Sequence, residues 1–369
     1  MKAPSVNIAF IEKAATAIER TARGIVMMIL KEETFETADY EILDTSDIPS
    51  TLSAENQAAI TRVLYGYQTT PTKVLVHLIK SDAEGLDEAY KAAEDYIAAK
   101  KWNYLVVPTA QTDGKALELS TWIKTQRTIN HKSFKAVLPN VTADNDGVTN
   151  VTMGYTDSDG TELTAEQACA RVAGIIVGTP FTMSCTYAPV TEALGCPAMT
   201  PEEKDEAVNA GKLIFFWDGE KVKIVRGVNS FVTTNDVKNN SFKKIKLVDA
   251  MDMISDDIRE TAEDSYIGKY ANSYDNKCLL ISAINAYFDT LIAEGVISAG
   301  KASLDLAAIR TYIKSKGGKF VNDAGDMAEL ATATDEDIKK ANTGSDVFLT
   351  ANVSLLDAIE DITLNIYIG

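Results

Sequence analysis

Apolar and polar positions fall into two regimes along the chain. Over residues 24–187, short continuous apolar runs alternate with amphipathic stretches. The runs at 25–30, 73–79, 104–107 and 134–138 read as buried parallel strands, because a strand covered on both faces is apolar at nearly every position. The stretches between them, 53–65, 86–100 and 115–128, carry apolar residues at spacings of three and four and read as helices. Ser53 is placed to cap the first, whose inward set is Ala59, Ile60, Val63 and Leu64; Leu117, Trp122 and Ile123 mark the third. Strands and helices in alternation predict an open, doubly wound α/β sheet with helices on both faces. Thr164 starts a further helix through Val177. The turn-rich segments 143–147 and 156–160 flank 148–155 and predict an excursion or hairpin at the sheet edge. Residues 181–187 read as a strand or an exposed connection.

From residue 188 the order of elements changes. A Pro-containing connector runs to 211, and Thr200, Pro201 and Glu203 mark a helix start within it. Two alternating runs then flank Asp218-Gly219, a strong two-residue hairpin signal. Leu213, Phe215 and Trp217 share a face of the first run, with Val222 and Ile224 across the turn. Arg226-Gly227-Val228-Asn229-Ser230 ends the hairpin. Gly227 suits a backbone position strained for other residues, and Asn229 and Ser230 suit a turn. A helix follows, with Met251, Ile254, Ile258 and Ala262 as its apolar stripe. A stronger helix spans 276–294, with Leu280, Ala283, Ile284, Tyr287, Phe288, Leu291 and Ile292 in one wide stripe and Gly295 at its end. Shorter helices are expected at 303–316 and 335–342. The fold class is therefore α/β, α+β overall: a doubly wound central domain plus an α+β C-terminal domain. The chain divides into 1–20, 21–195, 196–346 and 347–369.

Each end carries a strand without a local partner. At 5–11, Val6, Ile8 and Phe10 share one face; at 361–369, Ile362, Leu364, Ile366 and Ile368 alternate with polar or aromatic residues. A lone strand must pair with something. The partner is an edge of the chain's own sheet, or a neighbouring subunit reached by strand addition.

Composition narrows the function. The chain has 369 residues, enough for two or three domains, and 46% apolar residues, enough for sizeable cores. A net charge of −17 argues against nucleic acid or anionic membrane as a partner. No signal peptide is legible, since Glu12 and Lys13 interrupt the first apolar run, and the run at 25–30 is too short to span a bilayer. Cys169, Cys185, Cys196 and Cys278 show no C-x-x-C spacing, so reduced thiols are expected.

Chemistry-bearing motifs are sparse. There is no phosphate-cradling glycine motif and no G-x-S-x-G elbow. His77 lies in an apolar run and reads as a packed core histidine; His131 lies in a polar connection and reads as solvated. The S-x-x-K at 241–244 lacks its companion motifs. Residues 144–147 and 157–160 are similar to calcium loops, but Thr142 and Tyr155 stand where the first ligand must be Asp; Glu166 fits the twelfth position of the second. No cofactor, metal or catalytic residue is expected. Asp256-Asp257 and Glu263-Asp264 read as a solvated helix face, or as an acidic face for a basic partner.

One ordered series is distinctive: the short hairpin, R-G-V-N-S, then I-K-L-V-D-A-M-D-M-I-x-x-D-I, then Y-I-G-K, all within 212–269. It resembles the C-terminal domain of contractile phage tail sheath proteins, a family that includes the sheaths of R-type bacteriocins and related contractile injection systems. The opening P-S-V-N-I-A-F-I-E-K and the A-R-G-I-V at 22–26 resemble sheath N-termini. The central domain matches in place and class; the family's has been likened to subtilisin in fold, which imports no catalysis.

The resemblance implies a structural subunit that polymerises into a contractile cylinder around a tail tube and drives the tube through a target envelope. In that family N- and C-terminal arms complete the C-terminal domain's sheet in neighbouring subunits. The implied partners are further copies of the chain, the tail tube protein, and baseplate and tail terminator proteins. No nucleic acid or direct membrane contact is implied, and the implied location is a virion tail or phage-tail-like particle assembled in the bacterial cytoplasm. On this reading Val6, Ile8, Phe10, Ile362, Leu364, Ile366 and Ile368 are exchange faces. The hairpin bearing Leu213, Phe215, Trp217, Val222 and Ile224 receives them. Asp252, Asp256, Asp257 and Glu260 face the tube, and connectors at 12–23 and 344–360 bend. Two other classes compete: a hydrolase, which needs a nucleophile, an acid and a histidine together at the strand C-termini, and a non-polymerising binding protein with self-paired terminal strands.

Overall fold

The computed structural model describes residues 16–20, 23–81, 85–322 and 325–368. They form two compact units. The larger holds the described residues of Ala22–Met253 and Asp357–Gly369, and the smaller those of Met1–Thr21 and Ile254–Leu356.

The larger unit is built on a seven-stranded sheet of order β2-β3-β1-β4-β5-β6-β8. Its strands are β1 (Ile25–Glu32), β2 (Asp39–Ile42), β3 (Lys73–Lys80), β4 (Tyr104–Val106), β5 (Lys135–Pro139), β6 (Val148–Val151) and β8 (Lys212–Leu213). All run parallel except the edge strand β2. The continuous apolar run of β1 is explained by its two faces. Val26, Met28 and Leu30 join the core under α1 (Ala54–Leu64) and α4 (Ala165–Val177). Ile25, Met27 and Ile29 join the core under α2 (Leu86–Ala98) and α3 (Ala116–Thr128). Each such side chain, fully buried, contributes about 1.5–3 kcal/mol. Ser53 caps α1, and Thr164 caps α4 reciprocally with Gln167.

Three local readings change. Residues 148–151 are not an excursion: β6 lies inside the sheet, parallel to β5 with Val148 beside Ala136. Its buried Thr149 and Asn150 disguise it, and the Asn150 side chain is satisfied by the Val141 N–H at 2.9 Å. Residues 181–187 form turns, and the strand comes later, at β7 (Pro189–Val190). The edge strand β2, with only Ile42 buried, has no legible pattern.

A second sheet has the order β7-β10-β9, with β9 (Phe215–Trp217) and β10 (Val222–Ile224) joined by the expected turn. The Asp218 carboxylate accepts the N–H groups of Glu220 and Lys221, and Gly219 takes φ +104°. Between these strands and β7 lies α5 (Pro201–Asn209), capped by Thr200.

Helix α6 (Ile245–Thr261) contributes residues to both units. Its buried positions are not the predicted stripe. Met251, Ile254, Ile258 and Ala262 are half-buried, whereas Val248, Asp252, Met253 and Asp257 are buried. Two inward carboxylates rotate the true face away from the apolar spacing.

In the smaller unit, α7 (Tyr274–Ala293) packs on β11 (Ile297–Leu304), which pairs antiparallel with β14 (Leu349–Leu355). A satellite core of Ile309, Ile313, Phe320, Ile338 and Ala341 joins α8 (Leu306–Ser315), the hairpin β12 (Lys319–Val321) and β13 (Met327–Glu329), and α9 (Asp335–Lys340). The expected bending connector 344–360 thus contains a regular strand. Thr16–Arg20 is held as well: the Tyr266 hydroxyl donates to Thr16 O at 2.8 Å, the Glu19 N–H donates to Thr261 Oγ1 at 3.0 Å, and Arg20 pairs with Glu294.

Candidate assembly interface

The R-G-V-N-S turn after β10 is a junction. Arg226 donates to Asp361 Oδ1 at 2.6 Å. The Gly227 N–H donates to Thr186 Oγ1 at 2.9 Å, and its carbonyl accepts the Ile245 N–H that opens α6. Val228 bridges Lys244, Asn229 donates through Nδ2 to Phe242 O, and Ser230 donates its N–H to Val148 O. One short turn therefore ties β6, the start of α6, the loop 184–186 and the segment after β14 together. Gly227 does not have a positive φ, which corrects the expected reason for it. Space is the reason: a Cβ there would lie 2.7 Å from Cys185 Sγ and 3.3 Å from Ser184 Oγ.

This junction builds a socket for Glu360, whose side chain is only 4% exposed. Oε1 lies 2.6 Å from Thr186 Oγ1 and 3.0 Å from Ser184 Oγ, and Oε2 accepts from Lys244 Nζ at 2.9 Å. Arg226 Nε stands 3.9 Å away. Lys244 also pairs with Asp357. Burial disfavours the Lys244 charge, but Asp357 and Glu360 outweigh it and its pKa is raised. The hydrogen bond from Arg226 holds the Asp361 carboxyl below its usual range.

Beyond the socket, residues 362–368 are exposed and have neither helix nor strand. Ile362, Leu364, Ile366 and Ile368 are 82%, 76%, 75% and 95% exposed. Val6, Ile8 and Phe10 lie outside the described residues. In the smaller unit, β11 and β14 pair only with each other among the described residues. The outer edge of β11 is taken at Ala302 by the Asn285 side chain, which accepts the Ala302 N–H at 2.7 Å and donates to its carbonyl, so the edge of β14 is the freer one. Open edges are templates for another strand. The hairpin expected to be the receiver is different: Leu213, Phe215, Val222 and Ile224 are all at 0% exposure, and only Trp217 is substantially exposed. Leu213 belongs to β8 of the large sheet, β10 is paired on both sides, and the short β9 offers the remaining edge.

The four carboxylates of α6 do not share an outer face, a correction to the expected tube-facing set. Asp252 is buried between Lys135 at 2.7 Å and Arg127 at 2.9 Å. Burial pushes its pKa up, but the two cations overcome it and hold the carboxyl low. Asp249 lies 3.2 Å from the same Lys135 and accepts from the Tyr104 hydroxyl at 2.7 Å, yet burial dominates and its pKa is raised. Asp257, fully buried, accepts from the Tyr287 hydroxyl at 2.6 Å. Asp256 pairs with Arg259 at 3.1 Å, and Glu260 is half-buried. Sequence reasoning missed Arg127 and Lys135 as partners, and Glu360 as an anchor. The available signal was a charge on an otherwise apolar element.

The polar groups at the strand C-termini satisfy one another. Lys31 pairs with Asp113 at 2.5 Å, Tyr90 and Thr109 donate to Asp113, and Glu166 accepts the Gln111 and Thr112 N–H groups. His77 is elsewhere, with Nδ1 2.8 Å from Asp39 Oδ1 and its ring stacked on Tyr96. His131 is exposed.

Comparison with known proteins agrees with this picture. The family model for the phage tail sheath protein central domain matches residues 84–230, and that for the phage tail sheath C-terminal domain matches residues 237–369. A tail sheath protein of Clostridium phage phiCD119 is 34% identical over 368 residues, covering 98% of each chain. The sheath tail protein from Desulfitobacterium hafniense superposes with a TM-score of 0.66 at 18% identity, over 95% of this chain and 100% of that one. The anti-feeding prophage helical sheath in its contracted state gives 0.69 at 12% identity, over 100% and 99%. These two solved structures speak to the fold. With the sequence match across almost its whole length, the chain belongs to the phage tail sheath protein family: it is a tail sheath subunit, a structural component of a contractile phage tail or injection particle, and not an enzyme.

Proposed function

We propose that copies of this chain link through their ends into a helical cylinder around a tail tube, each lending a terminal strand to the β11–β14 ribbon of a neighbour. One observation carries the reading: an exposed, alternating segment at 362–368 and a two-stranded ribbon whose β14 edge has no further strand among the described residues occur in the same chain. The lengths agree, since seven extended residues span about 23 Å and β14 is itself 7 residues long. The alternating sequence at 5–11, which lies outside the described residues, is the second candidate for donation. Each added backbone hydrogen bond is worth a net ~0.5–1.5 kcal/mol, and repetition around and along a cylinder makes the links multivalent. The edge of β9 is the weaker acceptor, because it is only 3 residues long.

The partners on this reading are other copies, the tail tube, the baseplate and the tail terminator, with no nucleic acid or membrane. Contraction is a rigid-body change between two packings of linked subunits, and its energy is stored during assembly. The test is electron microscopy of the chain coexpressed with its tube protein. Removal of 362–369 is expected to leave a folded subunit that forms no cylinders; normal cylinders from that truncation overturn the reading. Cysteines at Ile366 and at either Asn352 or Trp217 separate the acceptors. Oxidation is expected to give covalent ladders with Asn352→Cys and not with Trp217→Cys.

A further inference from the structure

We propose that Glu360 is a positioning residue for the exchanged arm, pinning the chain at Asp357–Asp361 so that only the segment from Ile362 onward is delivered to a neighbour. The inference rests on the strand-exchange reading and adds what sets the arm's point of departure. Three acids in five residues meet two cations and two hydroxyls: Asp357 and Glu360 on Lys244, Glu360 on Ser184 and Thr186, and Asp361 on Arg226. Glu360 is the one deeply inserted side chain of this segment: it is 4% exposed, between Ile359 at 86% and Asp361 at 82%, and Ile362 beyond it is 82% exposed.

The socket is also built for this contact. The Thr186 hydroxyl that meets Glu360 accepts the Gly227 N–H, and only glycine at 227 lets the 184–186 loop come so close. The R-G pair of the motif thus serves the arm twice, through the Arg226 side chain and through the missing Cβ of Gly227. A carboxylate in such a site needs all its partners, because a buried charge with one of them removed is strongly disfavoured.

Pinning matters because a tethered strand binds at an effective concentration set by tether length. Freeing 357–361 lengthens the chain beyond the last anchor from about eight residues to about thirteen, which lowers effective concentration about twofold per link. It also leaves five more residues to be ordered on docking. Repeated at every subunit of a lattice, a small loss per link becomes a large loss of assembly.

The experiment uses the full chain carrying Glu360→Gln, with Lys244→Gln as a second variant in case the first does not fold. Melting is measured first, then amide hydrogen exchange at 357–361, then cylinder formation with the tube protein. The expected result is a folded subunit with at least tenfold faster exchange at 357–361, and cylinders that are fewer or shorter than wild type. Wild-type exchange, or wild-type cylinders despite faster exchange, overturns the anchoring role. Loss of the fold in both variants overturns it too, placing the socket in the stability of the unit and not in arm delivery. Removal of 362–369, run alongside, separates the two ideas. If that truncation assembles normally, strand exchange itself is wrong; if it fails while Glu360→Gln assembles normally, only the anchor is wrong.

Discussion

Buried charge decides behaviour at the scale of single residues. Glu94 on α2 is 8% exposed, and its Oε1 has no hydrogen-bond partner among the described residues. Burial first, and Glu118 second, push its pKa up to about 7. A raised carboxyl pKa favours the folded state in the protonated form. That contribution is fully present below the ordinary value of 4.5 and is lost as pH rises through about 7. Glu94→Gln is therefore expected to be near neutral at pH 4.5 and stabilising by up to about 3 kcal/mol at pH 8, measured by urea unfolding at both pH values. Asp252 behaves in the opposite sense. Its depressed pKa makes it stabilising above the ordinary carboxylate range, and that stability is lost as pH falls through its folded value. Asp252→Ala leaves Arg127 and Lys135 facing a void and is expected to destabilise by about 3–5 kcal/mol. Asp249→Asn, at a carboxylate that burial already disfavours, should be milder, and an equal or larger loss there would refute this ranking.

Among the elements, the R-G-V-N-S turn shows how one small side chain sets a junction. Gly227→Ala places a methyl 2.7 Å from Cys185 Sγ, an overpacking expected to destabilise by about 1–3 kcal/mol. Removing the sulfur in Gly227→Ala/Cys185→Ala should recover part of that loss, and a double-mutant cycle measures the recovery. Additive losses would mean the backbone, not the sulfur, sets the spacing. Cys185 is a passive partner here, its thiol pKa pushed up to about 12 by burial. Helices with strong periodicity were legible to within a residue or two, as at α1 and α4, and the start of α5 was legible from its cap. β6 was not, because buried Thr149 and Asn150 break the pattern, and neither was β11, whose exposed Ser298, Ala299, Lys301 and Ser303 carry no apolar alternation.

For the whole molecule, folding and assembly separate at the C-terminus. Leu364 and Ile366 are 76% and 75% exposed in the subunit, so Leu364→Asp/Ile366→Asp removes almost no burial from the fold. The melting temperature is expected to stay within about 2 °C of wild type, since exposed substitutions usually change stability by less than about 0.5 kcal/mol. Polymerisation should fall sharply, because the apolar face of 362–368 that a neighbour would bury now carries two charges. Light scattering on coexpression with the tube protein reads the loss, and unchanged scattering would show that this face is not used.

The sequence by itself determined the family, the order of most elements and the alternating segment at the C-terminal end. These are local properties: a period of two or of three and four, a turn signal, or an ordered motif survives without knowledge of distant residues. Only the tertiary structure decided which partners those elements take. It put β6 inside the sheet, joined β11 to β14 as a two-stranded ribbon, and turned Asp252 and Asp257 inward onto partners that the sequence does not place beside them. It placed Glu360 in a socket made by Ser184, Thr186, Arg226 and Lys244. A carboxylate on a helix or a tail reads as solvated until the cation that shares its burial is known, and that cation is a fact of long-range packing.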